Sequence, residues 1–387
     1  MTDAEVIVVG GGPAGAATAA RLSGAGFDVL VLDRAAFPRE KACAEFLSPG
    51  AVDGLAQLGM LDLVGAHGAW QLGMRIVSER SAFTVRYRDG QRGLGIPRPT
   101  LDALLLDRAR KAGARVHERT GVVGALVERG FVSGVRLRNG RTLRARFVVA
   151  ADGLRSPVAR SLGLERAPRW PQRLGLVARV RGVEASPYGL MAVGRGGYCG
   201  VAAVGGGETS VGMAVAERTR FAGESAAALF ARMVASLPAV REATAGSART
   251  TAIRGLAPLA RRVRRVSGPG YLLVGDAAGS TDPFTGEGVF RALRGAELAA
   301  AAVTRALAHP GLLPDGYAAA RREAFAAKEL ACLGLQVALA APGLFDHCLR
   351  RAGSRERAAR TLAGVFGDYL PAQAALRPSV LADLVRP

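Results

Sequence analysis

The chain has 387 residues, 49% of them hydrophobic and 22% charged, with 51 glycines. That length allows two to three domains with sizeable cores, and the composition excludes a disordered chain, a collagen and a coiled coil. The formal net charge of +20 invites a nucleic-acid partner, but aromatics to stack on bases are only 5%. All basic residues except Lys41, Lys111 and Lys328 are arginines scattered along the chain, a codon-bias pattern that puts guanidinium heads on solvated faces. The one dense cluster, Arg261, Arg262, Arg264 and Arg265, reads as a solvated turn. No nucleic-acid partner is expected.

The N-terminus carries no basic, apolar leader, and a strand begins at Val6. Residues 6–9 are a continuous β-branched run, the pattern of a strand buried on both faces of a parallel sheet. A glycine-rich turn, Gly10 to Gly15, follows, then an Ala-rich helix to about Ser23 and a second buried strand ending at Asp33. Residues 99–112 read as a helix with Leu101, Leu104, Leu105 and Ala109 on one face. From Arg115 to Val149 short strands alternate, with Asn139-Gly140 as a hairpin turn.

Residues 172–216 alternate with period two between glycine breaks, which predicts an antiparallel sheet in a separate layer. A helix at about 221–236 and a strand at about 250–257 complete that layer. The buried-strand pattern returns at Tyr271 to Val274, and a long helix starts near Gly288. Residues 311–387 read as helical with breaks at Pro342 and Pro371. The longest apolar stretch, Leu330 to Phe345, is broken by Gln336 and Pro342 and is too short to span a membrane. A soluble cytoplasmic protein is therefore expected, with an interfacial contact through this region left open.

Cys43, Cys199, Cys332 and Cys348 form no CxxC pair, so neither a disulfide framework nor a zinc site is expected. His67, His117, His309 and His347 lie far apart and read as structural residues, so no metal ligand is assigned.

Gly10, Gly12 and Gly15 form GxGxxG between a buried strand and a helix, and Asp33 stands 18 residues after Gly15. Gly10 permits the tight turn, Gly12 lets a pyrophosphate approach the backbone, and Gly15 lets the helix pack close to the strand. The helix start at Pro13 and Ala14 then faces the phosphates with free N–H groups and a positive dipole end. Asp33 accepts from adenosine ribose hydroxyls. Two later motifs select the dinucleotide. Gly275-Asp276, at the end of a strand, can present a carboxylate to a ribityl hydroxyl. The Gly286-Glu287-Gly288 turn opens a helix whose dipole stabilises a reduced, negatively charged flavin.

These three motifs, in this order over residues 5 to about 310, resemble FAD-dependent oxidoreductases with the p-hydroxybenzoate-hydroxylase fold. Phe37-Pro38-Arg39-Glu40-Lys41-Ala42-Cys43-Ala44-Glu45 resembles the FPRxKxCGE segment of the geranylgeranyl-reductase branch, and Gly286-Glu287-Gly288 matches that branch too. The DPFTGEG run and the tail are similar to flavoproteins of bacterial polyketide and phenolic-lipid pathways. The resemblance implies an α/β fold: a Rossmann-type FAD-binding domain, an inserted antiparallel β-sheet substrate domain and a helical C-terminal region. Residues 1–75, 96–165 and 259–310 would form the first, 76–95 and 166–258 the second, and 311–387 the third. It implies FAD contacts from Asp33, Arg34, Ala44, Arg98, Val123, Asp152, Gly275, Asp276, Pro283 and residues 286–288. Arg98 would hold the ribityl–pyrophosphate region, and Val123 the adenine through its backbone.

The departures bear on activity. Ala44 replaces the usual glycine of CGE, and Tyr198 to Ala203 stands where prenyl reductases carry YxWxFP. The WxWxIP segment of flavin halogenases is absent; Trp70 and Trp170 stand alone, and no lysine falls between Lys41 and Lys111. Cys43 is either a reactive thiol beside the flavin or a small buried hydrophobe. Glu45 is either a general acid or base, or a carboxylate facing solvent or paired with Lys41. The pocket walls are expected from residues 43–48, 173–203 and 282–288, mostly apolar.

The first expectation is a monooxygenase: NAD(P)H binds transiently as reductant, and a flavin C4a-hydroperoxide hydroxylates or epoxidises a hydrophobic aromatic or polyketide-type substrate with O2. The alternative is a geranylgeranyl-reductase-like reductase of carbon–carbon double bonds, with Cys43 or Glu45 assisting protonation. A non-catalytic flavin or nucleic-acid binder ranks third.

Overall fold

The computed structural model describes residues 2–166, 170–308, 313–314 and 316–385, so His309 lies outside the described residues. The buried β-branched runs form the centre of a sheet. Its strands run in the order Ser267–Gly268, Tyr271–Leu273, Thr142–Ala150, Ala4–Val9, Val29–Leu32 and Arg115–His117. Ala4–Val9 pairs in parallel with Thr142–Ala150 and Val29–Leu32. All six of its residues but Glu5 are buried, as a strand covered on both faces requires.

One face of this sheet carries the helices Pro13–Gly24, Arg98–Lys111 and Gly288–Ala308, packed on Val6, Val8, Val29 and Val31. The other face carries the meander Val122–Glu128 and Phe131–Leu137, which continues into Thr142–Ala150. The Asn139-Gly140 turn joins these last two strands as the sequence predicts, with Gly140 at φ +84°.

The second sheet runs Ala248–Arg249, Arg173–Arg181, Glu208–Ala216, Gly197–Gly205, Tyr188–Gly194, Gly73–Val77 and Ala82–Arg86. Its four central strands are antiparallel. It is not antiparallel throughout, because Gly73–Val77 enters from the first third of the chain and pairs in parallel with Tyr188–Gly194. The 75/76 boundary therefore falls inside a strand. The predicted strand at 250–257 is shorter, Arg254–Leu256, with Ala248–Arg249 a separate rung. The predicted helix at 221–236 starts later, at Ala226, where the Ser225 hydroxyl accepts the Ala228 N–H and caps it.

Helices Ala226–Ser236 and Pro238–Ala243 cover one face of the second sheet through Leu229, Met233 and Val240. The C-terminal region covers the other: Phe345 and Leu349 pack with Tyr198, Phe284 and Ile76. That region comprises Tyr317–Ala340, Pro342–Ser354 and Glu356–Phe366, ending in Pro378–Val385. The break at Pro342 bends the first two by 119°. Among the described residues no single helix is long and apolar enough to cross a membrane.

A small sheet, Phe46–Leu47, Gly93–Gly95 and Ala69–Gln71, fills the junction between the two large ones. Gly95 has to be glycine there: a Cβ would stand 1.9 Å from the Ala203 carbonyl oxygen.

Candidate active site

The glycine turn is built for a close backbone approach. Gly10 adopts φ +102°, and a Cβ on Gly15 would lie 1.8 Å from the Gly10 carbonyl oxygen. Helix Pro13–Gly24 has no side-chain cap and no acid in its first turn. Its first N–H groups and positive dipole end are thus free for an anion. Asp33 is buried, accepting the Gly11 N–H at 2.7 Å and the Ala35 N–H at 2.8 Å, which ties the ends of the first two strands together. This turn fits the pyrophosphate and ribose of FAD.

Arg39, the arginine of the Phe37-Pro38-Arg39 segment, stands over the turn. Its guanidinium reaches Asp102 at 3.3 Å and Asp33 at 4.0 Å, and would lie 3.4 Å from a Cβ on Gly12. Arg98 is buried and bidentate to Asp102 at 2.8 and 2.9 Å. Burial alone would lower its pKa; the Asp102 carboxylate and the contacting Cys43 thiol raise it well above the usual range. Arg34 and Val123 are exposed. Asp152 accepts the Val158 N–H at 3.3 Å, and burial pushes its carboxyl up to about 6.

Strand Tyr271–Leu273 runs into Gly275-Asp276, placing Asp276 half-buried 3.9 Å from Lys41. Burial, then the nearby Arg98, lower the Lys41 pKa. In the 281–288 segment, Asp282 accepts the Phe284 N–H at 3.2 Å, the Tyr198 hydroxyl at 2.6 Å and Arg173 at 2.5 Å. Gly286 takes φ +69°, and Phe46 lies against it, so that a Cβ there would meet Phe46 at 3.0 Å. The Glu287 carboxylate is buried, accepting from Thr281 at 2.9 Å and Arg291 at 3.3 Å. Its backbone N–H, with that of Gly288, is what this turn offers a cofactor.

The 37–49 segment brings one correction. Glu45 neither faces solvent nor pairs with Lys41. It is buried at φ +61°, accepts the Arg98 N–H at 2.9 Å and pairs with Arg179 at 2.9 Å. The left-handed backbone turns the side chain inward, and a buried carboxylate requires a charged partner. Arg179 also reaches Glu40 at 2.5 Å and Glu208 at 3.1 Å. Burial raises the Glu45 pKa, and its Oε2 has no partner among the described residues. Burial likewise pushes the Cys199 thiol up to about 12.

Ala44, beside Cys43, opens onto a pocket between the second sheet and the 283–286 turn. Its walls include Phe46, Met74, Ile76, Leu190, Met191 and Phe284. Tyr87 and Thr285 are the polar side chains lining it, and Phe366 closes it from the C-terminal region. All three expected segments contribute; the strands Gly73–Val77 and Ala82–Arg86 and the tail add walls that no motif signals. A larger cavity of about 340 Å³ opens further along the same strands, lined by Trp170, Arg173, Arg195, Tyr198 and Leu339.

A Rossmann-type dinucleotide turn, a second carboxylate-bearing strand end and a glycine turn facing an apolar pocket define an FAD-dependent oxidoreductase. The chain belongs to the FAD binding domain family, whose pattern it matches over residues 3–329. It is 31% identical over 345 residues to a menaquinone reductase of Mycolicibacterium smegmatis, covering 82% of each chain. It is 29% identical over 322 residues to the digeranylgeranylglycerophospholipid reductase of Methanosarcina acetivorans, covering 78% of this chain and 75% of the relative. Among solved structures, a flavin-dependent brominase variant superposes with a TM-score of 0.85 at 19% identity over 98% of both chains, a likeness of fold. The myxobacterial chondrochloren halogenase superposes with a TM-score of 0.73 at 27% identity, over 86% of this chain and 78% of that one.

Proposed function

We propose that this protein is a flavin-dependent reductase of carbon–carbon double bonds in a hydrophobic, isoprenoid-bearing substrate. The observation that carries this reading is the pocket beside the 283–286 turn. Its lining is aliphatic and aromatic, with only Tyr87 and Thr285 to offer hydrogen bonds. A phenol hydroxylase needs polar groups to orient and ionise its ring. An alkene needs shape, dryness and one proton. The similarity to reductases of menaquinone and of a geranylgeranyl lipid supports the same choice, because both substrates carry unsaturated isoprenoid chains.

FAD supplies the hydride chemistry when bound. The chain's own residues do the rest. The pocket walls hold the alkene and exclude water. Cys43, next to the pocket-lining Ala44 and in contact with Arg98, holds the proton for the second carbon. Glu45 holds this segment in place by accepting the Arg98 N–H. NAD(P)H binds transiently as reductant, there being one glycine fingerprint in the sequence.

The test is product mass. FAD-loaded protein, NAD(P)H and a geranylgeranyl lipid, kept anaerobic, should give a product heavier by two hydrogens. Replacing Cys43 by Ala should slow that product about a hundredfold while leaving FAD bound, the scale of a lost proton donor. A product heavier by one oxygen in air, with no anaerobic product, would establish the monooxygenase instead.

A further inference from the structure

The helix Tyr317–Ala340 carries three buried polar residues at successive turns: Lys328, Cys332 and Gln336. Spacing of four puts them on one face, and that face meets the turn beside the flavin site. Lys328 Nζ lies 3.5 Å from Glu287 and 2.7 Å from Asp368. Cys332 Sγ is 3.7 Å from Glu287 and 3.8 Å from the Thr285 hydroxyl. Gln336 accepts from Arg173, which pairs with Asp282 at 2.5 Å. The 281–288 segment is thus held from behind by a helix outside the nucleotide-binding core.

The charges there are buried and nearly balanced. Glu287 and Asp368 stand against Lys328 and Arg291, and Glu329 pairs with Arg291 at 2.6 Å. Charge in a dry site is felt strongly by a neighbour that itself changes charge. A flavin facing this turn does so on reduction.

We propose that Lys328 is a positioning residue that sets the reduction potential and retention of the bound flavin through Glu287. Its ammonium offsets the Glu287 and Asp368 carboxylates behind the turn. Without it, uncompensated negative charge lies beside the site and the reduced flavin is disfavoured.

The experiment measures the flavin midpoint potential and the FAD dissociation constant of the holoenzyme at pH 8, where Asp368, pushed up to about 6, is ionised. Lys328→Met should lower the potential and weaken FAD binding about tenfold, the low end for outer partners of a bound group. Lys328→Arg should restore both. Asp368→Asn removes a negative charge and should raise the potential. A purely structural role predicts no opposition of sign. Potentials that stay at the wild-type value, or move together in both variants, overturn the proposal. Should Lys328→Met fail to fold, Asp368→Asn decides: a rise supports the assignment, and no change or a fall refutes it. The outcome holds whichever substrate the flavin reduces, so it can fail without the reductase reading failing.

Discussion

At Glu45 and Asp152 a buried and a partly buried carboxylate meet different fates. Glu45 has Arg179 as a counter-charge. Removing one partner of a buried pair leaves the other charge stranded, so Arg179→Met should cost about 3–5 kcal/mol of stability in a denaturant titration. Asp152 has hydrogen bonds but, among the described residues, no ion pair, and burial lifts its pKa to about 6. A folded pKa above the unfolded value means its contribution is full below about pH 4 and is lost as the pH rises through about 6. The ionised form then costs the fold about 3 kcal/mol. FAD-saturated Asp152→Asn should therefore lose less stability than wild type between pH 4 and pH 7. Equal slopes in denaturant titrations across that range would contradict the assignment. None of this was legible at single positions. Asp33 and the glycines stand at fixed short spacings and could be read from sequence; Arg179 meets Glu45 across 134 residues, and no local pattern announces the pair.

Elements declare themselves when their pattern is continuous. The parallel strands, the glycine turn and the Asn139-Gly140 hairpin lie where periodicity and turn chemistry put them. Gly73–Val77 is not legible in the sequence because an isolated five-residue strand whose burial does not alternate looks like its surroundings until Tyr188–Gly194 supplies its partner. The polar stripe on Tyr317–Ala340 is hidden likewise: Cys332 reads as a helix-packing residue and Gln336 as an interruption of an apolar stretch until the turn they grip is in view. At this scale the glycine turn gives a paired prediction. Gly12→Asp meets only the end of Arg39, so it should fold but bind FAD at least tenfold more weakly, its carboxylate opposing the pyrophosphate. Gly15→Ala, driven into the Gly10 carbonyl, should fail to yield folded protein. Flavin content and thermal melting of the two variants distinguish these outcomes.

Across the whole molecule, three layers converge on one place. The parallel sheet brings the nucleotide turn and Asp276, the second sheet brings the pocket walls, and the C-terminal helices brace the turn between them. The pocket's apolar lining and the similarity to a menaquinone reductase and a digeranylgeranylglycerophospholipid reductase are the grounds on which alkene reduction is proposed. The most direct test is an anaerobic single turnover. Holoenzyme with fully reduced flavin is mixed with a geranylgeranyl lipid in D2O while the flavin absorbance is followed. The reductase account predicts reoxidation of the flavin without oxygen and a saturated bond carrying solvent deuterium. A flavin that stays reduced until oxygen is admitted, with the lipid unchanged, would contradict it.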